Sequence, residues 1–200
     1  NGVSGDLSFY TGTTSSGSSG LLQVSTGNAE GVGKAGKIEL SVGSADAGVG
    51  GRVGISAGTT TATTGGAISL STGAGTTKSS GAVVIRTSNA GTNGVSGSLT
   101  FSSGVTTLGS SGKISLASGN AVGTNARSGG IVLSAGSASD IGGAIEITGG
   151  TTTGKTGGAV SLNSGTSTPK SSGTVAIRST TAGSGGVSGQ LSFYTGASTT

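Results

Sequence analysis

Side chains able to do chemistry are few in this 200-residue chain. There is no His and no Cys, so a serine or cysteine nucleophile would lack its usual base, and most zinc and redox chemistry is excluded. The carboxylates are Asp6, Glu30, Glu39, Asp46, Asp140 and Glu146. Glycoside hydrolysis needs two carboxyl groups roughly 5–10 Å apart. Glu39 and Glu146 hold matching positions seven repeats apart, on the order of 34 Å at one strand spacing per repeat. Asp46 and Glu39 share a repeat, but the pairing does not recur in the later copies. These carboxylates read as solvated surface charge, and no catalytic residue is expected.

Two glycine-rich motifs suggest nucleotide chemistry on first sight. Gly149-Gly150-Thr151-Thr152-Thr153-Gly154-Lys155-Thr156 matches the P-loop expression GxxxxGK[ST], and Gly31-Val32-Gly33-Lys34-Ala35-Gly36 matches GxGxxG. Both motifs need a helix straight after them, whose N-terminal amides hold the phosphates. Here Gly158-Ala159-Val160-Ser161-Leu162 and Lys37-Ile38-Glu39-Leu40 follow, with apolar residues at every second position. The segment 92 residues before the first motif, Ala57–Thr64, has no Lys. No cofactor and no metal is expected; the Asp-bearing calcium nonapeptide of β-rolls is also absent.

The element that must position whatever this chain presents is a repeat. Gly or Ser-Gly, any residue, an aliphatic, any residue, a second aliphatic or Phe, two small residues and usually Gly recur along the whole chain. The anchoring glycines are Gly5, Gly20, Gly36, Gly51, Gly66, Gly81, Gly97, Gly112, Gly129, Gly143, Gly158, Gly173 and Gly189, at spacings of 14 to 17 residues. A longer period lies above this one. Gly-Val-Ser-Gly-Asp-Leu-Ser-Phe-Tyr-Thr-Gly at 2–12 returns in close variants at 94–104 and 186–196, and Lys78-Ser-Ser-Gly returns as Lys170-Ser-Ser-Gly. Each offset is 92 residues, or six units. The chain reads as one continuous array over 1–200, with super-repeats at roughly 5–96 and 97–188 and a third beginning at 189. Matching phase at both ends, with no atypical capping unit, predicts a segment of a longer array.

Apolar residues alternating with small polar ones over five positions indicate half-buried strands, and Gly, Ser, Thr and Asn between them indicate turns. Nothing has helical spacing. The expected fold is all-β: a parallel β-solenoid of about thirteen coils of ~15 residues, with essentially no helix. Two repeats per coil and an antiparallel meander fit the same periodicity. The expected core is Leu7, Phe9, Ile38, Leu40, Ile68, Leu70, Leu99, Phe101, Ile114, Leu116, Ile145, Ile147, Leu191 and Phe193. Tyr10 and Tyr194 follow two of the Phe residues on the opposite face, where structural filling is the first expectation and stacking on a neighbouring chain or a glycan the alternative.

Composition limits the partners. A net charge of +4 comes from ten Lys and Arg with no basic run, so nucleic acid is not expected. No stretch is apolar enough to span a membrane, and there is no Asn-X-Ser/Thr acceptor for N-glycosylation. Flat threonine arrays bind ice, but the outward positions here read Ser8, Gln23, Glu39, Gly54, Ser69, Val84, Thr100 and Ser115, which is not uniform.

The cadence of Thr64-Gly65-Gly66-Ala67-Ile68-Ser69-Leu70-Ser71-Thr72-Gly73 resembles the Ser/Thr/Gly-rich repeat proteins of diatoms and related microalgae, and similar cadences occur in some phage-fibre and bacterial surface proteins. The resemblance covers essentially the whole chain. It implies an extracellular or cell-surface structural protein of filament, matrix or adhesive type, with no catalytic residues. Its partners would be other copies, through self-association into filaments or sheets, and extracellular polysaccharide. Ice or glycan binding is the alternative.

Overall fold

Each unit begins in the same way at the level of the backbone. From its anchoring glycine the chain runs six residues to a small residue, enters a loop, and returns so that the next anchoring glycine lies against that small residue. A Cβ built on Gly36 would sit 3.0 Å from Thr26 Cβ; on Gly66, 3.3 Å from Ala57 Cβ; on Gly143, 3.2 Å from Ala135 Cβ; and on Gly189, 3.6 Å from Ser179 Cβ. We call the six-residue run the arm, the meeting point the neck, and the closed segment the loop. The computed structural model describes residues 4–197. Within them, every anchor from Gly20 to Gly189 makes such a neck with the residue six positions after the previous anchor.

This arrangement accounts for the uneven spacing of the repeat. The arm is always six residues long, so all variation between 14 and 17 falls in the loop, which returns after 8 to 11 residues. Loops that return after ten or eleven residues contain an added turn. Its i→i+3 bonds are Gly33 N to Glu30 O, Gly94 N to Gly91 O, Ala126 N to Gly123 O, and Gly186 N to Gly183 O, at 3.1 to 3.4 Å. Gly31 and Gly185 take positive φ in two of them (66° and 84°), where an L side chain would be strained. The shorter loops bend without that bond.

Five necks are closed by a backbone hydrogen bond. The anchor's N–H donates to the carbonyl of a glycine just past the neck residue: Gly66 to Gly58, Gly81 to Gly73, Gly143 to Gly136, Gly158 to Gly150, and Gly173 to Gly165, at 2.8 to 3.0 Å. At the Gly36 neck, Thr26 Oγ1 donates to Gly36 O instead, at 3.3 Å. Glycine is required most plainly at Gly149, where a Cβ would collide with the carbonyl oxygen of Gly158, and at Gly75, where it would lie 2.5 Å from Lys78 O and Ser79 O.

The 92-residue period reappears in this geometry. The bonds at Gly66, Gly81 and Gly94 return at Gly158, Gly173 and Gly186. One loop of the second copy, closing on Gly129, is a residue longer than its counterpart at Gly36, and the next, closing on Gly143, is a residue shorter than that at Gly51. The insertion and the deletion cancel, which restores the period. Spatially the chain divides into Asn1–Leu99 and Thr100–Thr200.

The β-solenoid is not what the chain adopts. Among the described residues there is no helix and no β-strand; the backbone is coil punctuated by turns and bends. Among the described residues, every backbone–backbone bond lies within a loop or across its neck, and none joins one arm to another. The stacked coils, their register, and the meander alternative all require such bonds. The apolar pairs do not make a core either. Leu7, Phe9, Ile38, Leu40, Ile68, Leu70, Leu99, Phe101, Ile114, Leu116, Ile145, Ile147, Leu191 and Phe193 are all exposed, and no described hydrophobic residue is buried.

Surface area shows how open the chain is. It presents 20059 Å², against about 8,100 Å² for a compact fold of this mass and about 26,500 Å² for an unfolded chain. The physical reason lies in the repeat itself. Fixing one residue's backbone costs about 1–2 kcal/mol, and a unit of about fifteen residues brings only two aliphatic side chains to offset it. Necks and turns, which need only local contacts, form within one chain. Stacking does not.

Candidate functional site: the exposed apolar arms

Of the described carboxylates, one is held by a partner. Lys37 Nζ donates to Glu39 Oε2 across the top of one arm, and this pair is solvent-exposed (84% and 65%). It is the only ion pair among the described residues, and no three of their Asp and Glu side chains gather in metal-binding geometry. The P-loop-like segment 149–156 forms a closed loop: Gly158 N donates to Gly150 O at 2.8 Å, and Gly154 N to Thr152 Oγ1 at 3.4 Å. No helix follows, so no row of free amides faces a phosphate. The Gly31–Gly36 segment likewise ends in a turn and a neck.

What the structure does bring together is a repeated pair of apolar side chains on a run of backbone with no partner. In every arm the two apolar residues stand two and four positions after the anchor, as Ile38 and Leu40, Ile114 and Leu116, or Ile145 and Ile147. Beside a neck, the first is shielded to about half: Ile38, Ile114 and Ile145 are each 52% exposed. The second stands further out, with Leu116 at 78%.

Between the anchor and the neck residue, no arm makes a backbone–backbone hydrogen bond among the described residues. Each arm therefore offers N–H and C=O groups together with alternating apolar side chains, the combination that makes a sheet edge adhesive. Phe9, Phe101 and Phe193 hold the second apolar position, and Tyr10 and Tyr194, next to two of them, are almost fully exposed. An open, polar depression lies at Arg86, Thr87, Ser88 and Asn89, where an arm meets its loop.

Sequence reasoning found the two apolar positions but missed the neck. The signal was present. The residue six past each anchor is small in every unit but one (Val42), and length varies only beyond it.

No helix among the described residues is long and apolar enough to cross a membrane. No family model, curated protein or solved structure matches the chain.

Proposed function

We propose that this chain is a structural, non-catalytic repeat protein that self-associates into an extracellular filament, matrix or adhesive. The observation that carries the reading is the surface: thirteen apolar pairs, at constant positions in thirteen arms, all left exposed. Monomeric soluble proteins rarely expose contiguous apolar patches beyond a few hundred Å². Here the exposure repeats along the whole chain, as a lattice-forming protein requires. The low and scattered charge, eight per cent of residues, opposes association weakly. Loops rich in Ser and Thr keep the assembly hydrated. Extracellular polysaccharide is a second partner consistent with the exposed tyrosines and hydroxyls.

Sedimentation velocity over a wide concentration range, followed by electron microscopy of the heaviest fraction, tests the reading. Filaments or sheets growing from monomer are the expected result. A chain that stays monomeric at millimolar concentration overturns it. Thermal hysteresis from that monomer would point instead to an ice-binding role.

A further inference from the structure

We propose that the arms are the docking elements, and that each pairs, backbone to backbone, with an arm of a second copy of this chain. The proposal rests on the self-associating function above and names the surface and partner through which it works. Three observations lead to it. Among the described residues, the arm backbone has no backbone hydrogen-bond partner. Arm length is invariant at six residues while loop length is not, as expected if arms must match one another and loops need not. The apolar positions are symmetric about the arm's centre, so two and four residues past the anchor of one arm fall opposite four and two of an antiparallel partner.

The occupant is chosen by area and by pattern. A stable interface buries about 1,600 Å² in total, and this chain exposes about 12,000 Å² more than a compact fold of its mass. A partner must supply alternating side chains and free backbone groups along thirteen arms. Another copy of the chain does so by construction. Pairing by strand addition places main-chain bonds and side-chain contacts together, so neither alone needs to be strong.

The test compares two four-fold variants of the whole chain that change equal numbers of exposed apolar residues. The arm variant carries Ile114→Asp, Leu116→Asp, Ile145→Asp and Ile147→Asp; the loop variant carries Val49→Asp, Val105→Asp, Leu108→Asp and Val122→Asp. Sedimentation gives the concentration for half-assembly, and amide hydrogen exchange gives the protected residues. The arm variant is expected to need at least about a hundredfold more protein, from the lost burial of four large side chains. The loop variant is expected to stay within about threefold of the parent, with parent protection confined to the arms. Assembly that protects loops, or that resists the arm variant, overturns the docking proposal and leaves the fibre-forming function standing. Failure of the parent to assemble at all overturns both. Arm protection that ignores protein concentration and appears only with added alginate assigns the arms to a glycan, and also overturns the proposal.

Discussion

Arms and loops are built from the same few residue types, yet they behave differently. The arm keeps its length in all thirteen units, carries the paired aliphatics and leaves its backbone unbonded. The loop varies in length, closes on itself and satisfies part of its own backbone. Loops also contain apolar residues, and these differ from those of the arms: Val32 and Val105 are fully exposed, whereas Ile114 is half shielded beside its neck. Hydrophobicity alone therefore does not define the surface of interest. Position relative to the neck does.

The comparison is broken most severely by altering arm length. Inserting one Ser between Ile68 and Ser69 puts Leu70 out of alternation and shifts one arm against its partners. Because a one-residue slip moves a side chain to the opposite face, this insertion should raise the half-assembly concentration by about tenfold or more. The same insertion between Thr61 and Ala62, inside a loop, should leave it unchanged. Light scattering against concentration measures both.

Next in size is the neck. Gly158→Ala places a methyl against Gly150 N and should open the loop at 150–158. One backbone bond is worth about 1 kcal/mol net, so exchange of the residue-158 amide should quicken about fivefold, read by NMR on the dilute chain. An unchanged rate would mean that the neck is held by something other than the Gly158–Gly150 contact.

A smaller effect is expected inside a loop. Thr60 Oγ1 accepts from Ala62 N and Thr63 N, both at 3.3 Å, so Thr60→Ala should loosen that bend alone. The amides of Ala62 and Thr63 should exchange about two- to threefold faster, with assembly unaffected. The smallest effect belongs to Lys37→Ala. An exposed ion pair of this kind contributes about 0–0.5 kcal/mol, so half-assembly should move less than about threefold in low salt and not at all in high salt.

Much of this organisation can be read before any coordinates. The anchors, the 92-residue period and the paired apolar positions are explicit in the residues, because each recurs many times. The arm's constant length is equally legible, in the residue six past each anchor, which is small in every unit but one. Burial is not. Alternation at Ile68 and Leu70 states that one face differs from the other, and stops there. It does not state that another surface in the same chain will cover that face. The candidate site follows the same division: its apolar pairs are legible in the residues, but the interior that alternation implies for them is not formed among the described residues.

Sequence by itself thus determined the repeat, the placement of its apolar pairs and the absence of His and Cys chemistry, since these are properties of order along the chain. Tertiary structure alone decided that the loops close locally at glycine necks and that the arms stay open. The reason is range. A neck brings together residues 8 to 11 apart and needs few contacts to offset the entropy of closure. Stacking one arm on the next must order a whole unit for two aliphatic side chains, and within a single chain that is too little.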